Sequence, residues 1–151
     1  MNSIENQYKR IERLAQKVLN NINREQHDYD DDVRQFFQEC WNLKDRIKND
    51  EDLEERITRT VEEEVSNYPH LEIIADLANR TKHYKLTRHI RKDAKVGNIT
   101  VNIRAGKPGT GHAKITYRID TDDGESIELA DLVEGAIESW RKILDGYGID
   151  T

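Results

Sequence analysis

The chain has one cysteine, two prolines, two phenylalanines and two tryptophans in 151 residues, and aromatic side chains make up only 7% of it. A single cysteine, Cys40, excludes an internal disulfide and a cysteine-built zinc cage, and a reducing cytoplasm is the simplest compartment for such a chain. Cys40 stands in the apolar run FFQECW with no activating neighbour, so a buried small hydrophobe is expected there rather than a nucleophile. No window approaches the roughly 20 apolar residues of a membrane span. No basic start leads into an apolar export signal, so a soluble, non-exported protein with no membrane partner is expected. His-Glu-x-x-His spacing and calcium-type carboxylate loops are both missing, and no metal is expected. Gly106, Gly109 and Gly111 lack the preceding buried strand and following helix of a phosphate loop; they read as a hairpin turn, and no cofactor is expected.

Charge is what the chain has in abundance. Charged residues make up 36% of it, the net charge is −6 and the mean hydropathy is −0.93, which leaves a lean core for one compact domain. The acidic balance argues against a protein that coats nucleic acid with a whole basic face. One stretch runs the other way. Residues 80–95 hold seven Lys or Arg (Arg80, Lys82, Lys85, Arg88, Arg91, Lys92, Lys95) against Asp93, a net +6, so the rest of the chain carries −12 to give the total of −6. Such a segment is either a local anion site or a solvated connection neutralised by acidic neighbours.

Periodicity gives the fold. Ile4, Tyr8, Ile11, Leu14, Ala15, Val18, Leu19 and Ile22 recur at steps of three and four and predict a helix over residues 3–24, with Ser3 as its N-cap. A second helix over 31–48 buries Val33, Phe36, Phe37, Cys40, Trp41, Leu43 and Ile47 and is expected at the centre, with the acids of residues 28–32 at its start. Leu53, Ile57, Val61 and Val65 predict a thin-striped outer helix. A fourth helix over 69–82 turns Leu71, Ile74, Ala75, Leu77 and Ala78 inward. The period then changes to two: Ile99, Val101 and Ile103, then Ile115, Tyr117 and Ile119, alternate with polar residues, predicting an antiparallel hairpin with a short third strand near 126–127. A last helix over 128–144 presents Leu129, Leu132, Val133, Ala136, Ile137, Trp140 and Leu144. The fold class is α+β, mostly α: about five helices with a two- or three-stranded hairpin inserted before the last. A single domain over 1–151 is expected, with a four-helix part at 1–86, a hairpin or meander at 96–128 and a closing helix at 129–145.

His83 is the first candidate for chemistry. Asn79 stands four residues before it and Asp76 seven before it, on one helix face. A histidine held by an amide or carboxylate can act as a base near neutral pH, with Arg80, Lys82 or Lys85 on a phosphate, which suits metal-independent cleavage of RNA. The plainer alternative is that His83 caps the helix by bonding its last carbonyls while the cations offset the helix dipole, and on spacing alone it is favoured. Lys82, Tyr84, Lys85, Arg88, Arg91 and Lys92 are the candidates for gripping RNA or a protein partner, with Arg104, Lys107, Lys114 and Arg118 of the hairpin as a neighbouring basic face. The bland reading of that face is the wet side of a half-buried sheet, and it too is favoured. Only Tyr84 and Tyr117 are on hand for base stacking. His27, His70 and His112 fall in expected turns, and His89 in a strand or an extended connector.

The stretches FFQECWNLKDRIKND, LEIIADLANRTKHYKL and IELADLVEGAIESWRKIL, with a hairpin before the last, resemble small uncharacterised bacterial and phage-associated proteins, and the helix order is similar to the HEPN superfamily. That resemblance implies a helical bundle, often dimeric, of a kind that includes ribonuclease toxins and defence effectors with a closely spaced Arg, polar residue and His on one helix. Matched here, the His is His83 and the polar residue Asn79. The family's Arg precedes its His by five to seven positions, where this chain has Ala78, Leu77 and Asp76; Arg80 is three before His83 and nine before His89. The mismatch favours a catalytically silent binding module of a conflict or defence system over an active ribonuclease. An acidic, antitoxin-like inhibitor that masks a basic partner is the third expectation. A homodimer through the first two helices is also expected.

Overall fold

The structure, a computed structural model, describes residues 3–54, 60–81, 96–105, 113–121 and 126–151. Its elements in chain order are α1 (Ser3–Leu19), α2 (Gln26–Lys48), α3 (Glu51–Glu54), α4 (Val61–Val65), α5 (Pro69–Thr81), β1 (Val96–Ala105), β2 (Ala113–Thr121), β3 (Ser126–Glu128) and α6 (Leu129–Gly146). The strands form one antiparallel sheet in the order β1-β2-β3, ahead of the last helix. The protein is α+β and mostly α.

The apolar stripes read from the sequence are spent inside. Ile4, Tyr8, Ile11, Leu14 and Val18 of α1 meet Val33, Phe36, Phe37, Cys40, Leu43 and Ile47 of α2, and the same cluster takes in Leu71, Ile74 and Leu77 of α5 and Trp140 of α6. Helix α2 packs on α1, α4 and α5, the central place its aromatic load predicted. The sheet is no projecting arm on its β2 side. Ile115, Tyr117 and Ile119 are buried in the bundle's core, and the loop after α1 clasps β2 by two bonds: Ile115 N–H to the Asn21 carbonyl at 3.0 Å and Asn21 Nδ2 to the Ile115 carbonyl at 2.9 Å.

Several boundaries differ from the periodicity, each for a local reason. Helix α1 stops at Leu19, not residue 24, because Arg24 folds back to donate to the Lys17 and Asn20 carbonyls (2.8 and 2.9 Å) and so satisfies the open end of the helix. Asn23 takes a left-handed φ of 56°, and Ile22, now beyond the helix, is 50% exposed instead of in the stripe. Helix α2 begins five residues before the expected Asp31. The Glu25 carboxylate accepts from the backbone N–H groups of His27 (3.0 Å) and Asp28 (2.8 Å), which places His27 in the first turn of a helix rather than in a loop. Those two bonds hold the Glu25 carboxyl below its ordinary range.

The expected third helix is described as two short ones. Thr60 Oγ1 accepts from Glu63 N–H at 3.2 Å and starts α4 afresh, with Leu53, Val61 and Val65 buried; Ile57 lies outside the described residues. Trp41 is half-buried, with the Lys44 ammonium 4.2 Å from its ring centroid. His70 is not in a turn but in the first turn of α5, and its ring lies so close to Gly135 of α6 that a Cβ there would come within 2.3 Å of it. Helix α6 ends in a Schellman arrangement: Ile149 N–H reaches the Leu144 carbonyl at 2.9 Å, and Gly148 between them has a φ of +76°.

The start of α2 is tied to the end of α1 by Tyr29, whose buried hydroxyl donates to the Val18 carbonyl at 2.6 Å while its ring meets Tyr117 edge-on at 5.3 Å. Burial pushes this hydroxyl up to about 12, so it remains a donor across the physiological range. Tyr29→Phe keeps the ring contact and strands one carbonyl. Thermal denaturation is expected to show a loss of about 1 kcal/mol, and an unchanged melting temperature would mean the hydroxyl bond contributes nothing.

Candidate functional site

The C-terminal end of α5 is where the basic segment begins. Asn79 and Arg80 stand on its last turn, and that turn is fixed against α2 by Gln38, whose Nε2 donates to the Ala78 carbonyl. Lys82, His83, Tyr84, Lys85, Arg88, Arg91 and Lys92 lie outside the described residues, as do His89, Lys107 and His112. The structure therefore brings Asn79 and Arg80 to one helix end beside the middle of α2, and extends to none of the other segment residues.

On the hairpin, the register sets Arg104 directly opposite Lys114 and Thr100 opposite Arg118. Arg118 is exposed between the buried Tyr117 and Ile119 and belongs to the sheet's other face. Arg118 has acidic company, since its opposite residue on β3 is Glu128 and its Nε donates to Ser126 Oγ.

Sequence reasoning missed a polar group on α2. Asp30, Arg34 and Gln38 stand at successive steps of four on α2, so they share the face that Gln38 turns toward α5. Asp30 is fully buried, and among the described residues neither of its carboxylate oxygens has a hydrogen-bond partner; Arg34 Nε is likewise buried without one. Burial pushes the Asp30 carboxyl up from its ordinary 3.8 to about 6, against the opposing pull of Arg34 and with a further push from Asp31. A carboxyl in that range can hold or release a proton near neutrality. At 0% exposure it cannot itself touch a substrate. The signal was present: Asp30 falls three before Val33 and seven before Phe37, on the core stripe, once α2 is extended back by a turn.

Cys40 is fully buried and its thiol is pushed up to about 12, which suits a core residue and no nucleophile. Among the described residues no group of three His, Cys, Asp or Glu side chains stands where it can hold a metal ion, and no helix is long and apolar enough to cross a membrane. Ile22 is the one large hydrophobic side chain exposed among the described residues. No protein-family model, curated protein or solved structure matches the chain.

Proposed function

We propose that this protein is a HEPN-like binding module of a bacterial or phage conflict system, working in the cytoplasm, that grips RNA through the basic segment 80–95, from the last turn of α5 to β1. The observation that carries the reading is the segment's net charge of +6 in a chain of −6. The rest of the chain carries −12, and against that background the segment stands out as the place toward which a long polyanion is steered. Two features of the fold support it. Asn79 and Arg80 stand on the last turn of α5, which Gln38 of α2 ties down, and Arg104 and Lys114 are register partners on the strand pair that follows. A phosphate backbone relieves both concentrations of charge.

Fluorescence anisotropy with a labelled single-stranded RNA tests this. Binding is expected to weaken with salt, with a slope of log K against log[salt] of about −0.7 for each phosphate neutralised. The triple variant Lys82→Glu, Arg88→Glu, Arg91→Glu is expected to bind at least about tenfold more weakly, because each reversal both removes an attraction and adds a repulsion. Salt-insensitive binding, or none at low salt, sinks the RNA reading; retrieval of an acidic protein by the same segment would then point to a protein partner.

The ribonuclease alternative has one observation in its favour, the raised carboxyl of Asp30 beside Arg34 on α2. Its full burial keeps it from touching a substrate itself. Incubation of wild type and His83→Ala with total RNA in EDTA decides: equal cutting by both, or none by either, removes the nuclease.

A further inference from the structure

A second polar concavity lies away from the α5 terminus, between the first half of α1 and the last half of α2. It has two lobes. The smaller, about 340 Å³, is walled by Lys9, Arg10, Arg13 and Arg46 with the amides of Asn6 and Gln7, and no acid faces it among the described residues. The larger, about 700 Å³, continues past Arg10 and Arg46 to Asn42 and Asn49 and the carboxylates of Glu39, Asp45 and Asp50. Both volumes fall in the range of small-molecule sites, but their walls are polar where such sites are mostly apolar, so the ligand they fit is itself polar throughout.

The cations of the smaller lobe are a cost to the free protein. Lys9 and Arg13 are four residues apart on α1, and Arg10 and Arg13 three apart, like-charge spacings that each destabilise a helix by about 0.2–0.5 kcal/mol. Among the described residues Arg10 has an ion pair, with Glu39 at 3.6 Å, and Lys9, Arg13 and Arg46 have none. Glu39 is in turn held by the nearly buried Gln7, whose Nε2 donates both to its carboxylate and, at 3.2 Å, to its backbone carbonyl. The boundary between the lobes is therefore built and fixed: cations without acceptors on one side, carboxylates and amides on the other. The start of α1 at Ser3 lines both lobes and adds the positive end of the helix dipole.

We propose that this cleft binds a phosphomonoester whose organic part carries hydroxyl or amino donors. The phosphate sits among Lys9, Arg13 and Arg46, where two guanidinium groups offer forked donors to its oxygens. The donor groups of the remainder meet Asn42, Asn49, Asp45 and Asp50. The division of charge sets the orientation, because a phosphate in the larger lobe faces carboxylates. None of these residues belongs to the basic segment, so the site stands or falls independently of RNA binding.

The test is calorimetric titration of the full chain with ribose 5-phosphate, adenosine 5′-monophosphate, adenosine and inorganic phosphate. Both phosphomonoesters are expected to saturate one site, with inorganic phosphate at least about tenfold weaker and adenosine weaker still, since each lacks the contacts of one lobe. Arg13→Gln and Arg46→Gln, both at exposed positions, are expected to keep the melting temperature and each weaken the nucleotide at least about fivefold, whereas Arg88→Gln leaves it unchanged. Absence of saturation by both phosphomonoesters, equal binding of inorganic phosphate or adenosine, or unaltered affinity in the two arginine variants overturns the proposal.

Discussion

Replacing Trp140 by alanine is expected to remove about 3–5 kcal/mol of stability, the largest effect of any single change proposed for this chain. The indole is fully buried in α6, and its Nε1 donates to the Cys40 carbonyl of α2 at 3.1 Å, so one side chain both fills the centre of the core and ties the closing helix to the central one. Truncation leaves a void that close-packed neighbours fill only in part. Net stabilities of domains are about 5–15 kcal/mol, and a core this lean stands to lose much of what it has. Trp140→Phe separates the two roles: it keeps most of the ring volume and gives up the hydrogen bond, for about 1–3 kcal/mol. Urea midpoints followed by far-ultraviolet circular dichroism check both. A loss below about 1 kcal/mol for the alanine variant would mean that α6 does not close the core as described.

The second large effect has the opposite sign. Asp30→Asn is expected to stabilise the protein at pH 7.5 by about 1–3 kcal/mol, because it exchanges a buried, unpartnered carboxylate for a neutral group of nearly the same shape. The pH dependence follows from the direction of the shift. The folded-state pKa, about 6, lies above the ordinary 3.8, so between these values the native state binds the proton that the unfolded state has lost. This carboxyl's contribution is most favourable below 3.8 and is lost as pH rises through about 6. The advantage of the asparagine variant should therefore be full at pH 7.5 and fade toward pH 4. At about 2–4 °C per kcal/mol for a chain of this size, paired thermal melts at the two pH values resolve it. An equal difference at both, or a destabilised variant at pH 7.5, would show that Arg34 neutralises the carboxylate after all.

Most of the architecture was legible because it rests on period. The stripes of α1 and α2, the inward face of α5, the alternation of β2 and the inward Trp140 each repeat often enough to outvote local noise. What failed to read was decided by single side chains. The start of α2 depends on the Glu25 carboxylate reaching two N–H groups, in a run of acids where any member can cap. The end of α1 depends on Arg24 turning back to it. The restart at Thr60 was readable, since Thr60 and Glu63 have the spacing of a capping box, but the evenly spaced Leu53, Ile57, Val61 and Val65 spoke louder. The candidate sites divide the same way. The basic segment is contiguous and shows in a charge count, whereas the cationic cleft joins Arg13 to Arg46 from two helices and exists only once α1 and α2 lie side by side.

The bond between Trp140 and Cys40 spans 100 residues of chain. A ribosome adding about 5–20 residues per second delivers the indole some 5–20 s after the carbonyl it will meet. During that interval α1, α2 and α5 are complete while the helix that covers them is still unmade, and the apolar faces they share with it remain open to water and to other chains. The high charge of the outer helix faces then acts before folding is finished: like-charged nascent chains repel each other through the seconds when their cores are unsealed.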